Sequence, residues 1–123
     1  MINKTLNYFK RIKIPSKQEI EDFYPTYLKA HKHPVNKLMH IFGNLLTLFY
    51  VYFIVLLSFF SLLFLPLFLF TPFVVYVGAW PGHKYFEKNK PATYYTNPLL
   101  TKFCDWKMMK DLFFGNLKLD SRE

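Results

Sequence analysis

From Ile41 to Gly82 the chain carries no Lys, Arg, Asp, Glu or His, while both flanks are rich in them. One bilayer span needs about 20 apolar residues, so a run about twice that long predicts two spans. The first starts near Lys37, passes His40 and continues through "IFGNLLTLFYVYFIVLLSFF". The reversal is expected over Ser58 to Pro66. The second span is "PLFLFTPFVVYVGAW", with a kink expected at Pro72 that neighbouring helices must accommodate. Ahead of the run, "SKQE" at 16–19 is a capping box and predicts a helix start at Ser16. Pro25 should interrupt that helix near Tyr24, since its ring removes a donor and crowds the preceding turn. A further turn or two would carry Tyr27, Leu28 and His31 as far as Pro34, and Asn36 would cap the next helix. After the run, Asn97 as cap, Pro98 at the first helical position and Gly115 as stop predict a helix over 97–115. Its apolar stripe (Leu99, Phe103, Trp106, Met109, Phe113) is interrupted by Lys102 and Lys110, which suits a helix lying in the interface with snorkelling lysines.

The predicted fold class is therefore an all-α membrane protein: a two-span helical hairpin with flanking interfacial helices. The single membrane domain, 1–123, divides into a basic tail (1–15), a kinked interfacial helix (16–33), the hairpin (36–82), a His/Glu loop-helix (83–96) and an interfacial amphipathic helix (97–115). The run starts too late and is too long for a signal peptide. Two helices apolar all round could not be covered by what remains of the chain as a soluble core.

Charge refines this picture. The net charge is +8, but the lysines lie on both flanks of the run and no nucleic-acid motif accompanies them. The loop between the spans has no charge, so the positive-inside rule places both termini in the cytoplasm. The expected location is an integral, multi-pass membrane protein with its active site at the cytoplasmic face. The one cysteine, Cys104, can form no internal disulfide and suits a reducing face; neighbouring Asp105 disfavours its thiolate. A chain this small also leaves apolar faces that a homodimer would cover.

The chemistry-bearing residues cluster at the edges of the run. His31, His33 and His40 precede it and His83 follows it. In a hairpin the start of the first span and the end of the second lie side by side, so His40 and His83 meet at one membrane face. Neutral imidazole is the commonest metal ligand and needs no charged partner beside lipid. Helical spacing puts Glu87 on the same face as His83, as a ligand or as an acceptor that orients a ligating histidine. Two or three histidines plus a carboxylate with open positions is the pattern of non-haem Fe(II) oxygenases. Histidines at an interface also occur simply as amphipathic boundary residues. His33, beside Pro34, is the weakest candidate. No nucleophilic triad or phosphate-cradling glycine loop is present.

"FYPTYLKAHKHPVNKLMHIFGNLL" (23–46) and "WPGHKYFEKNKPATYYTNPL" (80–99) carry a family likeness. Tyr27, His31, Asn36, His40 and Gly43 form the first block; Gly82, His83, Glu87, Asn89, Pro91 and Ala92 form the second. In this the chain resembles the 2-hydroxy fatty acid dioxygenase family, small membrane proteins of phytosphingosine to odd-numbered fatty acid metabolism, and in "ExNxPAT" its bacterial branches. The resemblance covers about 23 to 115. It implies Fe(II) as cofactor, O2 as co-substrate, and a long-chain 2-hydroxy fatty acid that loses one carbon as CO2. The family's essential histidines match His31, His40 and His83, with Glu87 the candidate for a fourth ligand. The acid would chelate through its carboxylate and hydroxyl. Its acyl chain would lie among the hairpin's apolar residues, Lys84 or Lys37 would attract its head, and Tyr27, Asn36 and Asn89 would line the site. The helix 98–114 is shorter and more charged than the corresponding part of fungal members. Two other classes stand beside this reading: a zinc-dependent lipid hydrolase, and a non-catalytic membrane adaptor or lipid-binding protein.

Overall fold

The computed structural model describes residues 2–90 and 96–122, and every regular element among them is helical. The basic tail forms α1 (Ile2–Lys10). In α2 (Lys17–Lys29) Ser16 caps as its sequence predicts, its Oγ accepting the Glu19 N–H at 3.1 Å. The expected break at Pro25 does not occur; α2 runs through it. The missing N–H orphans one carbonyl on an exposed turn, where water can satisfy it. The opposite face holds the helix: Ile20, Phe23, Tyr24, Tyr27 and Leu28 pack with Cys104 and Met108.

The next helix, α3 (Pro34–Ser58), begins earlier than an Asn36 cap would give. His33 is the cap, its Nδ1 accepting the Val35 N–H at 3.1 Å. Pro34 fills the first position, where a proline forfeits no helical hydrogen bond. Asn36 is thereby released from capping and buried at 0% exposure. The reversal is shorter than expected, residues 59–61, followed by a 3₁₀ stretch (Leu62–Phe70) and α4 (Thr71–Pro81). Prolines shape this order. Pro66 lies within the 3₁₀ stretch, and Pro72, expected to kink a span, instead stands in the first turn of α4. A π-helical segment, Gly82–Glu87, continues from α4.

Pro34–Ser58 and Leu62–Glu87 are two helices, of 25 and 26 residues, long and apolar enough to cross a membrane. At 1.5 Å per residue the first is about 38 Å long, enough for a hydrocarbon core of about 30 Å. Gly43 faces Gly78, and Tyr50 donates to the Leu67 carbonyl, so the two helices run antiparallel. Chain burial is inverted relative to a water-soluble domain. Leu48, Phe60, Leu63 and Phe73 are 66–89% exposed, whereas His31, Asn36, Lys37, His40, Asn44, His83, Thr101 and Asp105 are buried. An apolar outside of this extent matches lipid as solvent.

Finally α5 (Pro98–Phe113) is capped by Asn97, whose Oδ1 accepts the Leu99 N–H, and stops before Gly115 at φ +75°. It packs on α2, where Tyr24 Oη donates to Asp111 at 2.6 Å. Through His31 and Asp105, both of which reach His40, the α2–α5 pair closes the hairpin end at which α3 begins.

Candidate metal centre

Three elements each deliver one imidazole. His31 stands just past α2, His40 is in the second turn of α3, and His83 is in the π segment. Their nitrogens lie within 4.8 Å of one another. The His31 and His40 Nε2 atoms are 3.2 Å apart, as are those of His40 and His83.

The other ring nitrogens fix the chemistry. His31 Nδ1 faces the Tyr27 carbonyl at 2.7 Å, His40 Nδ1 faces Asp105 Oδ1 at 3.1 Å, and His83 Nδ1 faces Asn89 Oδ1 at 2.6 Å. The Asn89 orientation is set by its Nδ2, which donates to the Ala30 carbonyl at 3.2 Å. A carbonyl, a carboxylate and an amide oxygen are all acceptors, so each Nδ1 must carry the proton. All three Nε2 atoms then present lone pairs to one another. Three converging acceptors repel in a buried site, and a cation among them removes that repulsion. The residues therefore fit a metal ion, with the oriented imidazoles that metal sites require.

His31 is well suited to stay neutral. Burial lowers its affinity for a proton far below the usual histidine range, and the neighbouring His40 and His83 lower it further. Tyr27 stacks on it, ring centroids 4.0 Å apart and 18° from parallel. Local geometry explains Asn89: Lys88 takes a left-handed conformation (φ 59°), and the chain turns so that the Asn89 N–H donates to the His83 carbonyl at 3.1 Å. The Asn89 side chain thus acts as an acceptor at His83, not as a donor.

Glu87 lies apart from the three histidines. Its Oε1 accepts from the His33 N–H at 2.5 Å and from Asn36 Nδ2 at 3.3 Å. The cause is the unsatisfied N–H groups and positive dipole end where α3 begins. Asn36 is thus engaged by Glu87. Lys37 is fully buried but turned elsewhere, donating to the Lys118 carbonyl at 2.7 Å and to Ser121 Oγ. Lys84 lies over the Trp80 ring, 4.6 Å from its centroid. Pro91 and Ala92 lie outside the described residues.

Three residues entered the centre unforeseen. Asp105, on α5, accepts from His40 and Tyr27 at Oδ1 and from Asn44 Nδ2 (2.6 Å) and Lys102 Nζ (3.3 Å) at Oδ2. Burial alone would raise its carboxyl, but the His40 hydrogen bond, the Lys102 ammonium and the Asn44 hydrogen bond outweigh burial and hold it well below the usual carboxylate range. Lys102 also donates to Asn44 Oδ1. The available signals were Asn44, one turn after His40 in an uncharged run, and two ionic residues on an otherwise apolar helix face.

Beside the histidines lies a cavity of about 80 Å³, whose lining includes His31, His40, His83, Asp105, Lys102 and Val75. It exceeds the ~10–15 Å³ of comparable space one water needs, so an ion and a small polar group fit together. No match was found among the curated proteins or among the solved structures. A family model described as 2-hydroxy-palmitic acid dioxygenase Mpo1-like matches residues 17–117. With most of the chain inside that match, including every residue of the histidine centre, this chain belongs to the 2-hydroxy-palmitic acid dioxygenase Mpo1-like family.

Proposed function

We propose that this chain is a membrane-embedded Fe(II) dioxygenase that shortens long-chain 2-hydroxy fatty acids by one carbon. The observation that carries the proposal is the convergence of three Nε2 lone pairs, each fixed by an acceptor on the opposite ring nitrogen. The family description supplies the substrate class. The reaction balances without an external reductant: R–CH(OH)–COOH + O2 gives R–COOH + CO2 + H2O. The C1–C2 bond breaks, the former C2 becomes the new carboxyl carbon, and O2 takes up the four electrons released.

His31, His40 and His83 would hold the metal. Bound there, Fe(II) supplies the redox-active Lewis acid at which O2 and the hydroxy acid react. The Tyr27 carbonyl, Asp105 and Asn89 keep the protons on the three Nδ1 atoms, so each Nε2 stays available. The Asp105 charge makes His40 a stronger donor. The stacked Tyr27 ring covers His31 and limits water. The lysine-rich flanks favour the centre and both termini at the cytoplasmic face.

The test is a single reaction with one control. The protein is purified in detergent without oxygen, loaded with Fe(II), and given O2 and a long-chain 2-hydroxy acid. Mass spectrometry looks for the acid one carbon shorter, with the His83→Ala variant run beside the wild type. Product from the wild type alone is expected. Iron-loaded, folded protein that yields no product discards this reaction, and activity with Zn(II) in the absence of O2 would indicate a hydrolase.

A further inference from the structure

Sequence position made Lys37 and Lys84 natural anchors for a substrate carboxylate, yet neither cation is on the lining of the histidine cavity. Among the described residues of that lining, Lys102 is the one cation. Among the described residues its ammonium has two hydrogen-bond partners, Asp105 Oδ2 on the lining and Asn44 Oδ1 outside it, one fewer than its donors. The side chain is 25% exposed, and its nitrogen also lies 5.7 Å from the Trp106 ring centroid. Asp105 therefore holds the ammonium beside the histidines without enclosing it. The same cavity is walled by Val75 and Ala79 of α4, a helix whose outer surface is apolar. The lining thus offers one ammonium, already positioned by the Asp105 carboxylate and with a donor to spare, next to an apolar wall, the combination that suits an amphiphile with a carboxylate head.

We infer that Lys102 is the head-group anchor of this site: it binds the carboxylate of a long-chain acid and sets the acid's depth beside His31, His40 and His83. This rests on the dioxygenase reading for the identity of the acid, but not for the binding itself. Asn44 and Asp105 are positioning residues for the ammonium. The competing role for Lys102 is to neutralise Asp105 alone. That role predicts equal damage to every ligand when Lys102 is replaced, whereas an anchor predicts damage confined to ligands with a carboxylate.

The experiment measures binding rather than turnover, on chelator-treated protein in detergent, so that no metal contributes to carboxylate recognition. Palmitic acid and methyl palmitate serve as probes, at a pH where the free acid is ionised. A charge-assisted hydrogen bond corresponds to about tenfold or more in affinity. Wild type is therefore expected to prefer the acid over the ester by about that factor. Lys102→Met should bring the ratio close to unity with the ester affinity unchanged, and Lys102→Arg should keep the preference. No preference in wild type overturns the anchor, and this outcome needs no variant to fold. An unchanged ratio in Lys102→Met also overturns it, as does parallel loss of acid and ester binding by folded Lys102→Met. The reaction test above is independent: carboxylate preference without one-carbon shortening sinks the dioxygenase reading and leaves the anchor standing, and shortening without carboxylate preference does the reverse.

Discussion

His40 takes part in two networks. Its Nε2 lies among the three converging imidazole nitrogens, and its Nδ1 is held by Asp105, which Tyr27, Asn44 and Lys102 hold in turn. Asp105→Asn keeps the size of the side chain but lets the amide turn its NH2 toward His40. The imidazole then loses its fixed tautomer and the adjacent negative charge. Loss of such a partner lowers metal affinity by about 10–100-fold, which competition against a graded chelator would measure. Unchanged affinity would mean that Asp105 only ties α5 to α3. The three histidines were legible in sequence because they frame an uncharged run. Asp105 was not, since nothing in its spacing connects it with His40; it was read only as the neighbour of Cys104. That thiol is 0% exposed, and burial pushes it up to about 11. Iodoacetamide should therefore leave native protein unlabelled near neutral pH and label it after denaturation, read by intact mass.

Helix pairing depends on two glycines. A Cβ on Gly43 would lie 2.8 Å from the Val75 carbonyl oxygen, and one on Gly78 would lie 2.8 Å from the Gly43 nitrogen. These are backbone atoms and cannot step aside as a flexible side chain would. Small residues at such a crossing are what bring membrane helices close without a hydrophobic driving force. Gly78→Ala should thus force α3 and α4 apart, at a cost of about 1–3 kcal/mol. A detergent melting curve would register the lost stability, and retention of a loaded metal should fall too, because His40 sits on α3 and His83 on the π segment that continues from α4. A melting temperature equal to wild type would show that the close approach is dispensable. Helix existence was legible from periodicity and caps, as at Ser16 and Asn97. Boundaries set by proline were not. Pro25 was overruled by tertiary packing of α2 on α5, and Pro34 served as a helix start instead of a stop, which displaced the cap from Asn36 to His33.

At the scale of the molecule, polar burial and apolar exposure are one arrangement. The hairpin's outer surface is apolar, and its charge-free turn lies at the end opposite the histidines. If both helices cross the bilayer, as proposed, two crossings would return the chain to its starting side and put α2, α5 and the centre at one face, and the lysines on both flanks would favour the cytoplasmic one. Arg122 is exposed, and Phe60, in the turn, is 87% exposed. Introduced singly, Arg122→Cys and Phe60→Cys report the two faces, and the shielded Cys104 makes the native sequence a usable background. An impermeant maleimide should label Arg122→Cys in inside-out vesicles and Phe60→Cys in right-side-out vesicles. Labelling of both from the same side would mean that the apolar run does not cross the bilayer, and the reversed pattern would place the histidine centre on the outer face. Either result changes where the substrate must come from. In the expected orientation, and with the proposed substrate, a long-chain acid would reach the centre from the cytoplasmic leaflet, its tail staying beside α4 while its head moved only as far as the cavity.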